Sequence, residues 1–140
     1  MSGNPTIRPS EIGSSQSSVV ADDNSAFLAK LVSVLATEFE VVATAADGKS
    51  ALECIRVCQP NVVVLDLEMP GFNGIEVVKE LTKYPSSPAV VICSIEDDPE
   101  IVEAARQAGA LGYVFKACIA KDLIAAVKSV ASGQSFVSPS

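Results

Sequence analysis

Val62-Val63-Val64-Leu65-Asp66-Leu67-Glu68-Met69-Pro70-Gly71-Phe72-Asn73-Gly74 decides the fold. Four apolar residues in succession, three of them β-branched, suit a strand covered on both faces, because a strand with one face in water would alternate. The run ends in Asp66, and the Pro70-Gly71 and Asn73-Gly74 pairs behind it mark a loop. A strand buried on both faces belongs to a parallel sheet, and parallel neighbours need crossovers, usually helical.

Working outward, the runs Ser18 to Ala21, Glu40 to Ala45, Ala89 to Cys93 and Gly112 to Phe115 bring the number of strands to five. Between them lie amphipathic stretches. Phe27, Leu28, Leu31 and Leu35 share one helical face, as do Ala51, Leu52 and Ile55, and then Ile75, Val78 and Leu81. A fourth helix starts at Asp98-Pro99-Glu100 and stops near Ala108-Gly109; a fifth carries Ile119, Leu123, Ile124, Val127 and Val130 and is closed by Gly133. Regular alternation of strand and helix, with right-handed crossovers, predicts an α/β fold with a doubly wound five-stranded parallel sheet. Ser17-Ser18 at the head of a central strand predicts loose pairing there.

The chain has 140 residues, 10 basic against 17 acidic, a net charge of −7 and no His. That length fits one domain able to bury about two thirds of its unfolded surface without a metal or disulfide. Residues 1–16 hold two Pro, two Gly and four Ser, and read as a disordered N-terminal arm; the folded domain is expected over 17–140, with its core over 19–133. Apolar runs such as Ala89 to Cys93 are too short to span a bilayer, and the N-terminus lacks a signal-peptide core, so a cytoplasmic protein is expected. Cys54, Cys58, Cys93 and Cys118 lie among apolar neighbours, as buried free thiols do. The negative charge, with no local Lys/Arg cluster, argues against direct nucleic-acid binding by this chain. The absence of His removes Ser-His-Asp and Cys-His catalysis and His-based metal sites.

Chemistry in a doubly wound sheet gathers at the carboxyl ends of the strands, where the strand order reverses. Strand one ends in Asp22-Asp23, strand three in Asp66, strand four in Ser94 and strand five in Lys116. If strands one and three are neighbours, three carboxylates share a pocket, and their repulsion raises at least one pKa unless a cation joins them. Mg²⁺ suits such a set, since it takes a few carboxylates and keeps water in its other positions. Lys116 and Ser94 across the pocket then favour a phosphoryl group beside an Asp.

The acidic pair in Val19-Val20-Ala21-Asp22-Asp23, the stretch from Val62 to Gly74, Ser94, and Gly109-Ala110-Leu111-Gly112-Tyr113-Val114-Phe115-Lys116 together resemble the receiver domain of bacterial two-component response regulators. The resemblance implies the flavodoxin-like (βα)5 strand order 2-1-3-4-5. It implies Asp66 as phosphoacceptor, Asp22 and Asp23 as Mg²⁺ ligands with Asp66 and the Glu68 backbone carbonyl, and Lys116 as the partner of a phosphoryl oxygen. Ser94 would hydrogen-bond another oxygen, and Tyr113 would be the switch aromatic, turning inward as Ser94 moves to the phosphoryl group. The implied partners are a sensor histidine kinase or phosphotransfer protein as donor and an output domain or protein as target. A phosphorylation-dependent homodimer would be compatible with it.

Ala117 follows Lys116 where many members carry Pro. With Gly133-Gln134-Ser135-Phe136-Val137-Ser138-Pro139, this resembles the receivers usually attached to a LuxR-type helix-turn-helix, so a transcriptional output is expected, through either a DNA-binding tail beyond this stretch or, for a single-domain regulator, a separate output protein. Ile95 stands where many members have a small residue, and its bulk would hinder either the water that attacks an acyl phosphate or the phosphoryl donor, which leaves the lifetime of the acyl phosphate open.

Two other functions compete. A phosphorylation-independent interaction module could keep the same fold and acidic site. An aspartyl-phosphate hydrolase would want a second Asp two residues after the nucleophile, where Glu68 stands, so no enzyme is expected. The near P-loop Ala43-Thr44-Ala45-Ala46-Asp47-Gly48-Lys49-Ser50 lacks its first Gly and places Asp47 against the phosphates; Asp47 reads instead as the cap of the second helix. Cys54 and Cys58 lack the further ligands of a metal site and read as core.

Overall fold

The computed structural model describes residues 16–139. The arm expected over 1–16 lies outside them except for Gln16, whose carbonyl accepts from the Glu40 N–H at 2.9 Å. The elements are β1 Ser17–Ala21, α1 Ser25–Leu35, β2 Glu40–Ala45, α2 Gly48–Cys58, β3 Val62–Asp66, α3 Gly74–Leu81, β4 Ala89–Ser94, α4 Pro99–Ala108, β5 Gly112–Phe115, a 3-10 turn Lys116–Cys118, α5 Ile119–Ala131 and β6 Phe136–Val137. They form one parallel sheet in the order β2-β1-β3-β4-β5-β6.

The expected order is present, but the sheet has six strands instead of five. β6 is only two residues long, too short for any periodicity to mark it, and exists because the Phe136 N–H donates to the Leu111 carbonyl and the Ser138 N–H to the Tyr113 carbonyl. It covers the edge that β5 would otherwise expose.

All five residues of β3 are buried, and the four apolar ones alternate between two cores. Val63 and Leu65 face α2, α3 and α4 with Leu52, Ile55, Val78 and Leu81. Val62 and Val64 face α1 and α5 with Leu31, Leu35, Leu123 and Val127. This two-sided burial is why the strand is apolar up to Asp66 at its carboxyl end.

Helix starts follow local chemistry. Asp47 accepts from the Ser50 N–H at 2.8 Å and caps α2, as expected. Asn73 and Glu76 form a reciprocal capping box at α3, and Asp98 caps α4 with Pro99 in its first turn. Beyond α5, Gly133 takes φ 83°, a left-handed turn that favours glycine.

Ser17 and Ser18 are not loosely paired. The Ser17 N–H donates to Asn61 Oδ1 at 3.0 Å and the Ser18 hydroxyl to the Glu40 carbonyl at 2.9 Å. The irregularity lies in β2, where Val41 and Ala43 oppose consecutive residues of β1 and Val42 bulges out. Only Cys93 is buried; Cys54, Cys58 and Cys118 are half-buried, and all four are free thiols. Cys54 and Cys58 pack on the outside of the α2 core. No helix among the described residues is long and apolar enough to cross a membrane.

Candidate functional site

Two neighbouring strands carry the acids. β1 pairs with β3 in register from Ser18↔Val62 to Ala21↔Leu65, so Asp22 emerges beside Asp66. To one side β1 pairs with β2 and to the other with β3, which is the point where the strand order reverses and a crevice opens. Oxygens of Asp22, Asp23 and Asp66 all lie within 4.8 Å of one another. Asp22 is fully buried and Asp66 nearly so, whereas Asp23 is exposed at the mouth. Asp22 is anchored by its N–H on the Ala45 carbonyl and by its Oδ1, which accepts from the Asn24 N–H at 2.8 Å. Its buried Oδ2 faces the Lys116 ammonium in an ion pair at 2.9 Å. The same ammonium lies 3.4 Å from Asp66 Oδ2 and 4.4 Å from the centre of the Phe27 ring. One cation therefore bridges two buried carboxylates under an aromatic lid.

Burial, reinforced by the Asp22 charge, raises Asp66 to about 6 against the pull of Lys116 and of the Glu68 N–H in the other direction. Burial works to lower the pKa of Lys116, but its pairs with Asp22 and Asp66 outweigh this and leave it above its ordinary value. Cys93, opposite Asp66 in β4, is pushed up to about 12 by burial and stays a neutral thiol.

Ser94 closes β4 and is buried, with its Oγ accepting from the Glu96 N–H at 3.0 Å. The Glu96 carbonyl accepts from the Tyr113 hydroxyl at 2.7 Å. Tyr113 is 2% exposed and meets Phe115 edge to face at 5.9 Å. Its ring therefore lies inward in this structure, held there by the Glu96 carbonyl. Ile95 points to solvent at 81% exposure, and the Glu68 side chain is exposed.

Residues 19–128 match the response regulator receiver domain family. The chain belongs to that family. Among curated relatives it is 37% identical over 123 residues to the transcriptional regulatory protein DegU of Brevibacillus brevis, covering 86% of this chain and 52% of that protein. It is 36% identical over 124 residues to a probable transcriptional regulatory protein NarL of Mycobacterium tuberculosis, covering 87% and 57%. The chain thus spans about half the length of the curated relatives it matches. Among solved structures, the receiver domain of the Mycobacterium tuberculosis NarL superposes with a TM-score of 0.82 at 34% identity, over 86% of this chain and 98% of that one. A two-component response regulator of the LuxR family from Aurantimonas sp. SI85-9A1 gives 0.85 at 27% identity, over 90% and 91%.

In this receiver the sequence-derived Asp22, Asp23, Asp66 and Lys116 converge on one crevice, while Ser94 and Tyr113 meet through Glu96. Sequence reasoning missed Asn24, Phe27 and Gly74. Asn24 caps α1 and braces Asp22, and an Asn just ahead of a helical face is a readable signal. Phe27 reads as core until Lys116 is seen beneath it. Gly74 lies so close to β3 that an added Cβ would sit 2.5 Å from the Asp66 carbonyl oxygen. Receiver domains bind Mg²⁺ at an acidic pocket, and the hard oxygen donors of Asp22, Asp23 and Asp66 fit such an ion.

Proposed function

We propose that this chain is a phosphorylation-dependent signalling switch whose phosphoacceptor is Asp66. A carboxylate oxygen of Asp66 attacks the phosphorus of a phospho-His on a sensor kinase or phosphotransfer protein; the P–N bond breaks and the imidazole leaves with its electron pair. With a pKa of about 6, Asp66 is mostly ionised at neutral pH and has the lone pair to attack. Asp22, Asp23, Asp66 and the Glu68 carbonyl would hold Mg²⁺, which when bound offsets the charge of the incoming phosphoryl oxygens. Lys116, already between Asp22 and Asp66, turns its ammonium to a second oxygen. Ser94, whose Oγ accepts from the Glu96 N–H, donates its hydroxyl proton to a third.

The observation that carries this reading is the bridged pair: two buried carboxylates and one shared ammonium at the end of the central strands. The rearranged Ser94 and Tyr113 then alter the surface of α4, β5 and α5, and so its affinity for an output domain, which the regulatory relatives suggest is transcriptional. Having no His, the chain receives phosphoryl groups in such a relay and does not pass them on from a phospho-His.

Intact mass after incubation with a small acyl-phosphate donor and Mg²⁺ tests the reading. The expected result is a gain of one phosphoryl group, absent in Asp66→Asn and without metal. No gain in the folded wild type overturns it in favour of an interaction module that works without phosphorylation.

A further inference from the structure

The segment after α5 is tied to the strand that carries Lys116. β6 lies on the outer edge of β5, where the Phe136 N–H donates to the Leu111 carbonyl at 3.0 Å and the Ser138 N–H to the Tyr113 carbonyl at 2.9 Å. A third bond differs in kind. The Phe115 N–H donates to the Ser138 side-chain hydroxyl at 3.1 Å, and Ser138 is only 3% exposed. Phe115 is the last residue of β5, and Lys116 opens the 3-10 turn that follows. That N–H is therefore the last strand donor before the bend that aims Lys116 at Asp22 and Asp66. A donor left without a partner there would free the peptide to rotate.

We propose that Ser138 is a positioning residue for Lys116: its hydroxyl fixes the Phe115–Lys116 junction so that the ammonium lies between Asp22 and Asp66, and it couples docking of β6 to the occupancy of that pocket. Coupling of this kind runs in both directions. A phosphoryl group that draws Lys116 toward itself strains the bond between Phe115 and Ser138, and loosening β6 misplaces the ammonium that a phosphoryl group needs. The part of the proposal that concerns phosphorylation rests on Asp66 being the acceptor, whereas the placement of Lys116 does not.

The test compares wild type, Ser138→Ala and Ser138→Thr in the full chain. Ser138→Ala is expected to slow phosphorylation by a small acyl-phosphate donor about fivefold, the factor expected for one lost neutral hydrogen bond. It is also expected to shift the NMR signals of the Lys116 ε-methylene while the amides of β1 and β3 stay in place. Ser138→Thr keeps the hydroxyl and restores both. A serine that merely stabilises the fold would lower the melting temperature alone, so an unmoved Lys116 or a wild-type rate in Ser138→Ala overturns the proposal. If wild type takes up no phosphoryl group, that failure falls on Asp66 as acceptor. The Lys116 signals then decide by themselves: displaced in Ser138→Ala they uphold the positioning role, and coincident with wild type they overturn it.

Discussion

The Tyr113 hydroxyl donates to the Glu96 carbonyl across 2.7 Å, and the Glu96 N–H donates to Ser94 Oγ at 3.0 Å. The two bonds tie the middle of β5 to the loop that leaves β4, so the position of the Tyr113 ring and the orientation of the Ser94 hydroxyl are linked through one residue. A phosphoryl group that drew the Ser94 hydroxyl toward itself would pull on the Glu96 N–H that donates to it, and through Glu96 on the carbonyl that holds Tyr113.

Tyr113→Phe keeps the ring in its buried slot and removes only the hydroxyl. The loss of one neutral hydrogen bond is worth about 1 kcal/mol. It should appear as about fivefold faster amide exchange confined to the loop following β4, with β1 and β3 protected as in wild type. Faster exchange spread evenly over the sheet would mean that the bond supports the whole fold and not the loop.

The raised pKa of Asp66 makes stability depend on pH in a definite direction. Its folded value, about 6, lies above its ordinary 3.8, so the native state binds the proton more tightly than the unfolded chain. That contribution is present below pH 4 and is lost as pH rises through 6. Asp66→Asn is therefore expected to stabilise the metal-free protein at pH 7.5 by about 2 kcal/mol and to have little effect near pH 4. Urea titrations of both proteins at the two pH values measure this, and equal midpoints at pH 7.5 would contradict the burial of the charge.

Mg²⁺ should reverse that penalty, because it binds the ionised carboxylates of the folded pocket and not the dispersed acids of the unfolded chain. At about ten times its dissociation constant it adds about 1.4 kcal/mol. For a domain of this size that raises the melting temperature by about 3 to 5 °C. Asp22→Asn should abolish most of the gain, and an equal shift with choline chloride at matched ionic strength would reduce it to screening.

How legible the molecule was in its sequence depended on length and on direction. β3 could be read because its residues face two cores at once, which leaves no room for a polar position, and the acids could be placed because each ends a strand. The caps Asp47 and Asp98 were readable from local chemistry alone. β6 was not, since two residues carry no period and their pairing depends on where α5 delivers the chain. Nor could the inward Tyr113 ring be read, because its partner is a backbone carbonyl 17 residues away in sequence. The bulge at Val42 escaped for the same reason: Ser17 and Ser18 suggested weakness in β1, while side-chain bonds to Asn61 and Glu40 secure that strand and the irregularity sits in its neighbour.

Lys116→Met tests the bridged pair directly. Methionine keeps most of the stem's packing beneath Phe27 and removes the charge, leaving Asp22 and Asp66 facing each other without a cation. Breaking a buried ion pair by deleting one partner is strongly destabilising, and for this pocket, open on the Asp23 side, about 2 kcal/mol is expected at pH 7.5 without metal. The loss should shrink toward pH 5, because Asp66, no longer held down by Lys116, takes up a proton at a higher pH than in wild type and relieves the repulsion. Combining Lys116→Met with Asp66→Asn removes the repulsion chemically, so the double variant should be more stable at pH 7.5 than Lys116→Met alone. Urea midpoints for the four proteins form a double-mutant cycle, and a coupling energy near zero would show that the ammonium does not bridge the two acids in solution.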